Sequence, residues 1–130
     1  MSCSHCGGDL LAITVPAELR EFLPQETAAV GLCHDCLAMA PVDDPPESAP
    51  DLSALDSAFP SNPEAGIPLA LLVGLLDSLA LHRAEITALL ERAERAGTDP
   101  LLVVDRLADS YGDDAHVDLA GRRRQLEQLL

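Results

Sequence analysis

An α+β fold made mostly of helix is predicted by three observations. Two Cys-x-x-Cys pairs, Cys3–Cys6 and Cys33–Cys36, stand 26 residues apart, and they hold all four cysteines of the chain. A proline-rich, acidic interval follows them. Beyond it, leucines recur at helical spacing, and 24 leucines against two phenylalanines and one tyrosine favour an aliphatic helical core over a β-sandwich. The chain therefore divides into a cysteine-bearing module at 1–42, an acidic linker at 43–64 and a helical domain at 65–130. A module of about 40 residues buries too little apolar surface to fold without a staple, so the first part is expected to need a metal ion.

The first pair is a tight turn, and Gly7-Gly8 supplies the backbone freedom to leave it. Residues 9–15 form a β-prone run closed by Pro16. Residues 16–23 read as a short helix with proline in its first turn and Leu19, Phe22 and Leu23 on one face; Pro24 is expected to end it. Residues 27–32 return as a second strand and bring Cys33 beside Cys6, and residues 37–40 continue as a third. From residue 41 through the linker, Pro41, Pro45, Pro46, Pro50, Pro60 and Pro63 alternate with acids, which predicts an extended, solvated chain. Leu52, Leu55 and Phe59 are the exception, a helical turn able to strap the linker onto an apolar surface.

From Pro68 to about Ala96, a stripe of Leu69, Leu72, Leu76, Leu79, Arg83, Ile86, Leu90 and Ala93 predicts one long helix capped by Gly97. Asp99-Pro100 starts a second helix that runs to Tyr111, with Leu101, Val104, Ala108 and Tyr111 inward, and Gly112 ends it. A last helix spans 118–130, with Leu119, Leu126, Leu129 and Leu130 inward and Arg122–Arg124 in its middle. The result is a helical hairpin plus a third helix. Asp77-Ser78 interrupts the apolar stretch, either with Arg83 or the arginine cluster as ion-pair partner of Asp77 or as a polar mark inside a partner-binding face.

Four thiolates fill every position of tetrahedral zinc, so Cys3, Cys6, Cys33 and Cys36 are expected to hold a structural Zn2+ with no site left for substrate or activated water. Iron would bind the same sulfurs and carry one electron, but Phe22 is the sole aromatic of the module. His5 and His34 lie inside the two turns and are surplus to a saturated ion. His82 and His116 have no neighbour that would make a catalytic dyad. In its cysteine turns the N-terminal module resembles zinc-ribbon proteins, on Cys3-x-x-Cys6-Gly7 and Cys33-x-x-Cys36. Leu37 stands where a glycine often follows, which speaks against a symmetric pair of knuckles. The whole chain is similar to a small family of haloarchaeal zinc-ribbon proteins of unknown function. That similarity rests on the ribbon, the insert from Val15 to Arg20, the acidic joint, the run from Leu75 to Leu81, and the ending from Arg122 to Leu130. It implies a cytoplasmic metal-binding protein and supplies no activity.

There are 22 acidic residues, eight arginines and no lysine, for a net charge of −14. Such self-repulsion fades when the Debye length falls to about 3 Å near 1 M salt, so the composition is that of a chain adapted to a salt-rich cytoplasm. The acids of the module leave no basic footprint, and strong salt weakens phosphate contacts, which counts against nucleic acid; the knuckle tips Ser4, His5, His34 and Asp35 would be its contacts. With Met1, Ser2 and Cys3 running straight into the first turn no targeting segment is expected, and the apolar run at 65–76 is too short to span a bilayer. No nucleophile elbow or phosphate loop is present, so no enzymatic activity is expected. The expected role is protein–protein interaction or self-association through the apolar helix Leu69–Leu81, as a homodimer or on a larger assembly.

Overall fold

A computed structural model describes residues 2–23, 26–47 and 51–130. Pro24 and Pro50 lie outside the described residues. The fold is α+β. Three antiparallel strands, β1 (Leu10–Thr14), β2 (Ala29–Cys33) and β3 (Met39–Pro41), pair in the order β1-β2-β3. The insert between β1 and β2 is a 3-10 helix, Ala17–Phe22, that buries Leu19. Among the described residues four α-helices follow, α1 (Pro63–Leu75), α2 (Arg83–Arg95), α3 (Pro100–Tyr111) and α4 (Leu119–Glu127).

The long helix expected from Pro68 to Ala96 is two helices. A 3-10 turn at Leu76–Ser78 and a bend through His82, with φ −119° and ψ 30°, separate α1 from α2. The two helices then pack on each other, which the halves of a continuous helix cannot do. The break falls where the apolar stripe meets Asp77, Ser78, His82 and Arg83, residues whose polar groups stay at the surface only if the chain turns there. Asp77 is exposed, and among the described residues it forms no ion pair.

Helix α1 also begins five residues before Pro68. Asn62 caps it, its Oδ1 accepting from the Glu64 N–H at 3.0 Å, and Pro63 occupies the first turn. The expected linker thus contains a helix start of the same kind as Asp99-Pro100. Residues 52–60 do form a strap. Leu52 and Phe59 are 1% and 2% exposed, and Leu52 and the Pro60 carbonyl lie against Gly66, where an added Cβ would meet each at 2.9 Å. The strap's acids cap its turns, with Asp51 accepting from Ser53 N–H and Asp56 from Ala58 N–H. Tyr111 on α3 donates its hydroxyl to the Leu55 carbonyl at 3.2 Å.

Sheet, strap and helices share one apolar core, drawing in Ile13, Val30 and Leu37 from the sheet side, Leu72 from α1, Leu90 from α2 and Leu107 from α3. Helix α1 is buried from Ala65 to Leu75, and its Gly74 lets it approach β3 so closely that a Cβ there would meet the Met39 Cβ at 2.5 Å. Residues Leu69–Leu76 are therefore covered by their own chain, and the face expected to await a partner is occupied. Beyond it Asp77, Ala80 and Leu81 are exposed, Leu81 at 80%.

The caps of α2 and α3 match expectation. Gly97, at φ 91°, completes a Schellman motif in which Gly97 N–H donates to Glu94 and Thr98 N–H to Ala93. The Asp99 carboxylate accepts from the N–H groups of Leu101 and Leu102 at 3.1 and 3.3 Å. The inward face of α3 is centred on Val103, Val104 and Leu107, one position round from the expected stripe. On α4, Leu119 and Leu126 are buried, whereas Leu130 lies past the helix end and is 58% exposed. Arg123 holds α4 to α3 by pairing with Asp105 at 2.9 Å, and it also pairs with Glu127. The arginine cluster thus supplies an intramolecular tie, with Asp105 rather than Asp77 as the acid.

Candidate metal centre

The sheet register builds the site. Leu10 faces Cys33 across β1 and β2, and His34 N–H donates to the Asp9 carbonyl at 2.9 Å, so the turn before β1 sits against the turn after β2. The two turns repeat one hydrogen-bond pattern. In the first, Cys3 N–H donates to Gly8, Gly7 N–H to the Cys3 carbonyl and His5 N–H to Cys3 Sγ, at 2.7, 2.8 and 3.3 Å. In the second, Cys33 N–H donates to Ala38, Leu37 N–H to the Cys33 carbonyl and Asp35 N–H to Cys33 Sγ, at 2.9, 3.0 and 3.3 Å.

Symmetry extends to the backbone, contrary to the expectation drawn from Leu37. Gly7 has φ 82° and Leu37 has φ 66°, the same left-handed conformation at the same position of each turn. A leucine there costs about 1–2 kcal/mol. Leu37 is 0% exposed and sits in the main core, and burying a leucine side chain contributes about 1.5–3 kcal/mol, which offsets the strain.

All four sulfurs lie within 4.8 Å of one another. Cys3 and Cys36 are 3.7 Å apart and Cys6 and Cys33 3.5 Å. A tetrahedral ion with metal–sulfur bonds of about 2.3 Å sets its ligands about 3.8 Å apart, so the cluster fits a four-coordinate metal. The cysteines are free thiols, far from the roughly 2.05 Å of a disulfide. Burial pushes the Cys33 and Cys36 thiols up; the Cys6 sulfur adds to the rise at both, and at Cys36 the Cys33 and Cys3 sulfurs do so too. At Cys3 burial acts in the same sense, yet the N–H groups of Cys6 and His5 and the Cys36 thiol draw it down to about 7. Crowded sulfurs with opposed tendencies to ionise are what a bound cation reconciles, since it stabilises every thiolate together.

Sequence reasoning named all four sulfurs and missed their neighbour. His116, 80 residues from Cys36, donates its backbone N–H to the Cys36 carbonyl at 2.8 Å, and its ring Nδ1 lies 3.1 Å from the same oxygen. Only a protonated Nδ1 can donate there, which leaves Nε2 enclosed and without a partner among the described residues. Burial lowers the pKa of the ring. No spacing rule links these positions; the only hint was a turn with apolar Ala115 and Val117 around the histidine. His5 and His34 stand outside the ligand cluster. At the knuckle tips Ser4, His5 and Asp35 are exposed and His34 is half-buried.

Among the described residues no helix is long and apolar enough to cross a membrane. Neither curated proteins nor solved structures yield a match to the chain. Residues 2–130 match the model of a family of unknown function, DUF6276, and the chain belongs to that family.

Proposed function

We propose that this chain is a non-enzymatic zinc protein whose metal fastens a scaffold for protein–protein interaction. The observation that supports it is the closed donor set: four sulfurs within 4.8 Å, three of them buried, occupy every position of a tetrahedral ion. Cys3, Cys6, Cys33 and Cys36 would hold Zn2+, which supplies cross-linking and no open coordination position. Iron on the same ligands remains the alternative metal, and colour with a reversible one-electron couple would identify it.

The interaction surface is not the Leu69–Leu76 stretch, which the core occupies, but the shell around it, where Leu81 stands out. The acidic shell without lysine fits a cytoplasm rich in salt. Transcription-linked or other nucleic-acid binding through the knuckle tips is the second reading. The exposed His5 favours it, while the exposed acid Asp35 of the second knuckle and the engagement of Arg123 with Asp105 weigh against it. Elemental analysis of the purified protein should find one zinc per chain. Affinity capture from a native high-salt lysate should return a defined protein set that survives nuclease. Loss of that set on nuclease treatment would move the protein to the nucleic-acid class, and recovery of bait alone, as a monomer by light scattering, would overturn the interaction reading.

A further inference from the structure

The four sulfurs are unequally covered. Cys33, Cys36 and Cys3 are 0%, 1% and 6% exposed, whereas Cys6, which closes the first knuckle, is exposed. Oxidation of a cysteine requires access as well as thiolate character, so an oxidant reaches this cluster at Cys6. Behind it, 3.5 Å away and shielded from solvent, stands Cys33. Cys33 opens the second knuckle, and Cys36 at its other end is the residue whose carbonyl holds His116 and hence the turn before α4.

We infer that the centre is a peroxide-sensitive switch, in which a Cys6–Cys33 disulfide replaces the metal and releases the turn around His116. The inference rests on the zinc reading. In the first step the Cys6 sulfur attacks the O–O bond of hydrogen peroxide; an S–O bond forms, the O–O bond breaks and hydroxide leaves, giving a sulfenic acid. In the second the Cys33 thiolate attacks that sulfur; the S–S bond forms and a second hydroxide leaves. Two thiolates lose two electrons, one peroxide gains them, and two protons from solvent complete two waters. Closing from 3.5 Å to a bond of about 2.05 Å draws Cys33 out of the cluster, and Cys3 and Cys36 alone do not retain zinc. The second knuckle relaxes, and the Cys36 carbonyl is no longer presented to His116.

The test begins with the zinc content of the untreated full chain, which separates failure of the zinc reading from failure of the switch. The zinc-loaded protein is then titrated with hydrogen peroxide in high salt. Zinc release should be at least tenfold faster than without peroxide and accompany loss of two thiols per chain. Cleavage before aspartate separates Cys33 from Cys36 at Asp35, so mass spectrometry should find residues 1–8 linked to residues 9–34. Amide deuterium uptake at 115–119 should rise, and a thiol reductant with zinc should reverse every change. Retention of zinc at full thiol oxidation, a cross-link to residues 35–42 instead, or unchanged uptake at 115–119 would overturn the inference.

Discussion

The two knuckles have the same hydrogen bonds and opposite surroundings. In the first, Ser4, His5, Cys6 and Gly7 are exposed, and an added Cβ at Gly7 would meet nothing within 4 Å. In the second, Cys33, Cys36 and Leu37 are buried, and His116 clamps the turn from a distant part of the chain. With zinc bound as proposed, one turn geometry would be stabilised in two ways: by the metal and its own hydrogen bonds on the solvent side, and by the core as well on the other. Local symmetry at a metal site does not imply equal dependence on the metal.

Metal removal should separate the knuckles most strongly. Structural zinc contributes an apparent 10–16 kcal/mol or so at neutral pH, and Cys36→Ser or Cys6→Ser should each abolish stoichiometric binding. After chelation, amides at 2–8 should lose protection first, while those of 30–32, paired on both sides within the sheet, should persist longer; exchange mass spectrometry reads the order. Equal loss in both regions would erase the distinction. Because sheet and helices share a core, metal loss should also lower the melting temperature of the helices, in place of the independent survival that separate domains would allow.

Alanine at the two left-handed positions sharpens the comparison. Leu37→Ala keeps the strain and empties a buried leucine site, for a loss of about 2–5 kcal/mol. Gly7→Ala adds only the left-handed penalty, about 1–2 kcal/mol. Denaturant unfolding of the zinc-loaded proteins measures both, and equal effects would remove Leu37 as a core anchor.

His116→Ala should cost about 1 kcal/mol for the ring's hydrogen bond and increase exchange at 115–119, because the backbone donor remains but its carbonyl partner is less constrained. Tyr111→Phe should cost about 0.5–1.5 kcal/mol through the bond to Leu55 on the strap, with no change in zinc content. Burial, with Asp56 next, pushes the Tyr111 hydroxyl up to about 12. Its contribution is therefore complete below the ordinary tyrosine pKa of about 10 and is lost as pH rises from there through 12. A pH series of unfolding midpoints should show this alkaline loss in the parent and a smaller one in Tyr111→Phe.

Much of this architecture is legible locally. Cysteine spacing picks out the four sulfurs that come together, Gly97 and Asp99-Pro100 mark helix ends, and β-prone runs locate the strands, because turns and caps are decided within a few residues. Periodicity misled at 76–82, since a stripe in steps of three and four survives a bend that adds a turn of 3-10 helix. Proline content hid the start of α1 at Asn62-Pro63.

By itself the sequence determined the four-sulfur centre, the α+β class and the acidic shell, properties of residue type and short-range spacing. Tertiary structure alone decided that α1 is the centre of the core and not a free face, that Leu37 is held in a left-handed turn by burial, and that His116 reaches Cys36. Each of these depends on which segments far apart in the chain exclude water from one another, and such contacts have no period to read.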